Sequence, residues 1–221
     1  MIKNISREKK VIGHLVLVRH GESIWNEKGL WTGWQDIVLS KKGREEARLA
    51  AKTLVDLKFD FAITSDLKRA HQTLEIIKEE LGLHTLPTFK HKEYKERNYG
   101  IYTGKSKWDI KKEFGDEKFH KIRRHWNEPI PNGETLEDVY NRVVVHFNIN
   151  VMPNIRRGLN VLIVAHGNTH RALIKHMENL SHEEIANIEL ATGEVIVYKI
   201  NEKGEIIHKE KRAVNNSKGK Q

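Results

Sequence analysis

The stretch Leu15–Asn26, LVLVRHGESIWN, decides how the rest of the chain reads. Leu15, Val16, Leu17 and Val18 form an unbroken apolar run, the pattern of a strand buried on both faces in a parallel sheet. The run breaks abruptly into Arg19, His20, Gly21, Glu22 and Ser23. Open α/β sheets bind ligands beyond the carboxyl ends of their strands, which is where this Arg and His stand. Gly21 allows the backbone to turn and to approach a ligand closely. Neutral imidazole is a competent nucleophile, and a guanidinium matches the charge and fork geometry of a phosphate. Two readings fit: a phosphoryl-accepting histidine, or a strand that ends in ordinary polar loop residues.

A second run tips the balance. Val161–Ala165, VLIVA, also ends in a His-Gly pair, His166 and Gly167. Asn168 or Thr169 can cap a following helix, with Ala172, Leu173, His176 and Met177 spaced along one face. If the two strands are neighbours in one parallel sheet, His20 and His166 converge. Packing gives no reason for that coincidence, and a shared site does.

Composition bounds the alternatives. The 221 residues suit one domain over residues 1–212, with 1–12 as a polar extension and 213–221 as a disordered basic tail. A net charge of +9 and a pI near 9.5 admit nucleic acid, anionic lipid or a small anionic substrate. The lysines are scattered along helices and gathered in the tails, and no aromatic residues interleave with them as a stacking platform requires. A small anion is therefore the expected ligand, without nucleic acid or membrane. The absence of cysteine excludes disulfides and thiolate metal sites. The start, MIKNISREKK, is charged, and the apolar run after it is too short for a signal peptide or span, so a cytoplasmic protein is expected.

The remaining segments follow in order. Trp25, Trp31 and Trp34 crowd the loop after the first strand, with Thr32 and Gly33 between the last two, and such a cluster can anchor a loop or wall a pocket. Ser40 caps a predicted helix to about Leu57 with Ala47, Ala50, Ala51, Leu54 and Val55 inward. A strand is predicted over Phe59–Thr64, then a helix capped by Ser65 or Asp66 and running to about Leu81. Arg69 falls in its first turn, where a cation opposes the helix dipole. A phosphate bound near the helix start would explain it, as would an exposed arginine of little consequence.

Residues 82–107 form a connection too long to be idle in a compact domain. Within it stands KERNYG, Lys95–Gly100, where Glu96 is either half of a surface ion pair or a general acid and base over the sheet edge. Helical segments from Trp108 to about Trp126, broken near Gly115, end in Arg123 and Arg124. Adjacent arginines do not share a helix face, so one is expected at the site and the other packed elsewhere. Thr135 with Asp138 caps a regular helix whose Leu136, Val139, Tyr140, Val143, Val144 and Phe147 belong in the core. Ser181 with Glu184 caps a short helix, and Glu194–Ile200 alternates as a strand that a turn near Gly204 returns as a hairpin. His166 and His170 are four apart, but no acidic ligand accompanies them, and no metal is expected.

Taken together, LVLVRHGESIWN, TGW at 32–34, LKRA at 67–70, KERNYG, the Arg123–Arg124 pair and VLIVAHGN resemble the histidine phosphatase superfamily, and within it the cofactor-dependent phosphoglycerate mutases. The resemblance covers roughly residues 14–200. It implies a phosphoglycerate mutase-like α/β three-layer sandwich with a mostly parallel central sheet flanked by helices. It also implies interconversion of 2- and 3-phosphoglycerate through a phosphohistidine primed by 2,3-bisphosphoglycerate. On that resemblance His20 is the nucleophile, Arg19, Arg69 and His166 surround the phosphoryl group, and Glu96 moves substrate protons. Ser23, Asn26, Thr32, Gly33, Arg97, Asn98, Tyr99, Lys107, Arg123, Arg124, Gly167 and Asn168 match substrate-binding positions. A monomer or homodimer is implied. Many mutases carry a longer insertion where this chain has only HWNEPIPNGE, 125–134, a length shared with phosphatases of the superfamily. A phosphomonoesterase is accordingly the alternative activity.

Overall fold

The computed structural model describes residues 11–213; the extension before Val11 and the tail after Ala213 lie outside the described residues. Strand β1 (Ile12–Arg19) runs through the centre of a six-stranded sheet. Its parallel neighbour is β4 (Asn160–Ala165), its antiparallel one β5 (Val195–Asn201). Beyond β4 lie β2 (Phe61–Thr64) and β3 (Thr88–Lys90), both parallel to it in direction, and β6 (Ile206–Ala213) completes the other edge antiparallel to β5. The order is β3-β2-β4-β1-β5-β6.

Alternation along the strands builds two cores. Leu15, Leu17, Val161 and Ile163 face α5 (Leu136–Asn150) and α7 (Gly167–Glu178), meeting Val143, Phe147, Ala172 and Leu173. Val16, Val18, Leu162 and Val164 face α2 (Lys41–Lys52) and α3 (Lys68–Glu80), meeting Ala50, Ala51, Leu74 and Ile77. Helices thus cover both faces, which explains the continuous apolar runs of β1 and β4.

The register places the site. Arg19 pairs with Ala165, so the next residues, His20 and His166, leave the sheet side by side. The His20 amide donates to the Ala165 carbonyl at 2.9 Å and holds that exit together. Above the strand ends lie α1 (Ile24–Glu27), two 3-10 turns (Lys92–Tyr94 and Gly100–Tyr102) and α4 (Lys107–Arg124). A separate apolar cluster of Trp31, Tyr102, Ile110, Phe119, Ile122 and Ile130 fastens the Gly100–Tyr102 turn and α4 to the loops around Trp31 and Ile130. Below them, α6 (Met152–Arg156) follows α5, and α8 (His182–Ala186) follows α7.

Several boundaries depart from the sequence reading for identifiable reasons. Helix α2 stops at Lys52: Thr53 turns back to donate its hydroxyl to the Ala50 carbonyl, Leu54 still reaches the core, and Val55, expected inward, is 74% exposed. Helix α3 starts after Leu67 with no side-chain cap; Ser65, two residues before that position, accepts the Leu67 amide and contacts His166 instead. Helix α7 begins at Gly167 itself, one residue before the caps expected for it. Helix α4 spans its break at Gly115, whose φ of 79° only glycine adopts readily. Ala213, assigned to the tail, ends β6, and Ile12, assigned to the extension, opens β1. Gly21 closes against protein rather than ligand: a Cβ there would lie 2.1 Å from the Gly43 carbonyl oxygen in α2.

Candidate active site

His20 and His166 emerge from adjacent strands with ring centroids 4.9 Å apart and planes at 62°. The His20 Nδ1 donates to its neighbour, the Gly21 carbonyl, at 2.6 Å. A carbonyl cannot donate, so the proton sits on Nδ1 and the Nε2 lone pair is left for chemistry. Burial, reinforced by Arg69 and Arg19, holds His20 well below the usual histidine range, and the ring is neutral at pH 7. His166 is held low in the same way, by burial and then by Arg69 and His20. Its Nε2 lies 2.7 Å from the Ser65 hydroxyl, which also accepts the Leu67 amide at 3.2 Å. That hydroxyl can donate to Nε2 or accept from it, so the His166 tautomer follows from what meets its other nitrogen. His166 Nδ1 is buried without a hydrogen-bond partner, and so is Arg19 Nε.

Two guanidiniums flank the imidazoles. Arg69, at the start of α3, is buried and donates to the carbonyls of Gln35 and Gly33 at 2.9 and 2.8 Å. Arg19 is tied to the Leu190 carbonyl. Neither contact neutralises charge. Glu96 completes the centre. Its Oε1 accepts from the amides of Arg97 and Asn168 at 2.8 and 3.1 Å and from Asn168 Nδ2 at 3.1 Å, while Oε2 accepts from the Gly167 amide at 3.1 Å. Asn168 also donates to the Tyr99 hydroxyl at 2.8 Å, so Gly167, Asn168, Tyr99 and Glu96 form one fixed wall.

Around this centre lies a cavity enclosing about 660 Å³ including its mouth, room for a small phosphorylated acid but not for a polymer. Asn26, Thr32, Gly33, Tyr99, Lys107, Arg123, Arg124, Gly167 and Asn168 all line it, with Arg19, His20, Arg69 and Glu96. His166 stands behind His20 and is fully buried. Three expected substrate-binding residues also stand outside the lining. Ser23 caps α1 and binds Asn26 Oδ1 through its amide and hydroxyl, at 3.1 and 2.8 Å, which leaves the Asn26 amino group as the end facing the cavity. Arg97 is fully buried and donates to the carbonyls of Glu134, Ile122 and Glu128, so it holds the 125–134 segment rather than the cavity. Asn98 caps the Gly100 amide and borders a neighbouring groove with Trp34 and Asn132.

Both members of the arginine pair reach the lining, as the resemblance implied, whereas helix spacing alone suggested one. Arg123 lies over Phe119, and Arg124 pairs with Glu189 at 2.6 Å. Four further lining residues escaped the sequence reading: Leu30, Arg171, Glu189 and Leu190. Arg171 is buried, accepts no charge partner, and donates to Asn168 Oδ1 and to the Arg124 and Ile185 carbonyls at 2.7–2.9 Å. Its only signal was an arginine three residues after Asn168, on the same face of α7. Of the three tryptophans, Trp31 walls the cavity, whereas Trp34 donates from the rim to the Glu96 carbonyl at 2.7 Å.

Charge decides what the cavity holds. Six cationic side chains line it against two carboxylates, Glu96 and Glu189. Burial lowers Arg69 and Arg123 to about 10 and Arg171 to about 9, so all three stay cationic at pH 7. Burial, with Arg123 and Arg19 nearby, brings Lys107 down to about 7. His20, Glu96 and His166 offer ligand atoms within 4.8 Å of one another, a spacing a metal could use, but the surrounding cations repel one. His170 does not join them, since its Nε2 lies on the Val18 carbonyl at 2.9 Å. The unpartnered donor on Arg19 and the cation excess call for a multiply charged anion.

Residues 15–212 match the family model of the histidine phosphatase superfamily (branch 1), and the chain belongs to that superfamily. Within it, the chain is 46% identical over 197 residues to the 2,3-bisphosphoglycerate-dependent phosphoglycerate mutase of Bartonella bacilliformis, covering 88% of this chain and 96% of that one. It is 41% identical over 198 residues to the enzyme of the same name from Parvibaculum lavamentivorans, covering 89% and 94%. The fold also matches a phosphoglycerate mutase structure from Bacillus anthracis strain Sterne, with a TM-score of 0.72 and 23% identity over 89% of this chain and 91% of that one. Among the described residues, no helix is long and apolar enough to cross a membrane.

Proposed function

We propose that the protein interconverts 2- and 3-phosphoglycerate, using 2,3-bisphosphoglycerate as the phosphoryl source. The observation that carries this reading is the neutral His20, with Nε2 free, set in a buried cavity of excess positive charge. The residues fit a bisphosphorylated acid: Arg19 Nε is a buried donor without an acceptor, His166 Nδ1 is a buried ring nitrogen without a partner, and Lys107, Arg123 and Arg124 line the same cavity for a second anionic group. When bound, 2,3-bisphosphoglycerate supplies the phosphoryl group that primes His20.

His20 Nε2 takes and returns that group, forming and breaking one N–P bond in each turnover. Arg19 and Arg69, with His166 behind His20, stabilise the equatorial oxygens as charge spreads over them. Glu96 donates a proton to the oxygen that loses phosphorus and removes one from the hydroxyl that gains it. The cation-rich lining leaves no step that requires a metal. The same reading places the protein in the cytoplasm as a monomer or homodimer.

The test supplies 3-phosphoglycerate with and without catalytic 2,3-bisphosphoglycerate and follows 2-phosphoglycerate and free phosphate together. Isomer formation stimulated by the bisphosphate, with little phosphate released, is the expected result. Phosphate release without isomer would make the protein a phosphomonoesterase instead.

A further inference from the structure

Away from the catalytic cavity, the molecule brings together a second set of ligand-type side chains. His91 follows β3, Glu93 lies in the 3-10 turn Lys92–Tyr94, and His146 projects from α5. One nitrogen or carboxylate oxygen from each lies within 4.8 Å of the others, and the two imidazole rings are 4.2 Å apart. All three side chains are partly buried. His91 and His146 border a groove with Phe61, Phe89 and Asn150, and no lysine or arginine is among its described lining residues. The phosphoryl chemistry makes no use of them.

We propose that His91, Glu93 and His146 form a binding site for a borderline divalent transition-metal ion of the zinc class. Two imidazoles and one carboxylate are the donor set such ions prefer, whereas magnesium and calcium take oxygen ligands. Bonds of about 2.0–2.2 Å set the ligand atoms of a tetrahedral ion roughly 3.4 Å apart, so side-chain rotation alone closes the present spacing. A ligating histidine needs its second nitrogen held, and Tyr94 Oη lies 3.3 Å from His146 Nδ1. Three protein ligands leave a fourth position for water. The site would also tie two elements together. Arg142, one turn before His146 on α5, already donates to the carbonyls of Glu93, Lys95 and Glu96. A bound ion would add a second link between α5 and the segment that leads to Glu96.

The full-length protein is titrated with Zn²⁺ by calorimetry and with Co²⁺ by visible absorption. The expected result is one equivalent bound, with the intense d–d bands of a four- or five-coordinate ion. The affinity should fall at least tenfold in His146→Asn and in Glu93→Gln, and survive in His20→Asn. Circular dichroism and metal-free melting of the first two variants should match the parent, since the side chains are only partly buried. Loss of binding in His20→Asn would assign the ion to the catalytic trio and overturn the proposal. Unchanged binding in His146→Asn and Glu93→Gln, or no binding in either titration, would do the same. None of these outcomes depends on the mutase reading.

Discussion

The carbonyl of Gly21 selects which nitrogen of His20 keeps its lone pair, and burial with two arginines keeps that ring uncharged. A dianionic group arriving between His20 and His166 therefore meets neutral rings, with positive charge supplied from Arg19 and Arg69. Lys107 is the titrating member of this wall. Held near 7 in the free protein, it is cationic below that pH and loses its charge above it. Affinity for 2,3-bisphosphoglycerate should accordingly weaken as pH rises through 7 toward 8, by up to tenfold per unit. Calorimetry across that range checks this, and Lys107→Met should show weaker binding with a flatter profile. At this scale the sequence was informative where a residue's partners are local or its motif distinctive, as at His20, Glu96 and His166. It misled at Arg97, whose three carbonyl partners come from segments 25 to 37 positions further on. It was silent on Arg171, because nothing local marks an arginine that holds the carbonyl of Arg124 across 47 positions.

Helix α5 is the element on which sequence and structure agree most fully. Thr135 and Asp138 cap each other's backbone, and Leu136, Val139, Val143 and Phe147 are fully buried at helical spacing. Thr135→Ala should lower stability by about 1 kcal/mol, as loss of an N-cap does, with the midpoint of urea unfolding shifted and its slope unchanged. Where caps were misassigned, the expected capping side chain makes a long-range contact. Ser65 contacts His166, and Asn168 serves Glu96 and Tyr99 instead of α7. Both exceptions sit at the site, where local preference yields to function. The end of α2 differs in kind: Leu54 keeps the apolar period after the helix has stopped, so periodicity alone overruns the boundary.

Across the whole molecule, the sheet register does the positioning. Pairing of Arg19 with Ala165 makes two histidines distant in sequence into neighbours, and the cation-rich loops close over them. This much was legible, because both strands are continuous apolar runs ending in the same His-Gly pair. The position of the 125–134 segment was not, since buried Arg97 and partly buried Arg142 hold it through backbone carbonyls and Glu134. A ligand that binds only the assembled cavity stabilises the fold by mass action, so 2,3-bisphosphoglycerate at 100 times its Kd should stabilise it by about 2.7 kcal/mol. Thermal melts with and without it check that value against the Kd measured directly.

The most direct measurement is the site of phosphorylation. The protein is mixed with substoichiometric 2,3-bisphosphoglycerate, quenched at alkaline pH, and examined by phosphorus NMR and peptide mass spectrometry. The account predicts one acid-labile phosphoryl group, on Nε2 of His20, absent from His20→Asn. A phosphoryl group on any other residue, or turnover that persists in His20→Asn, would contradict it.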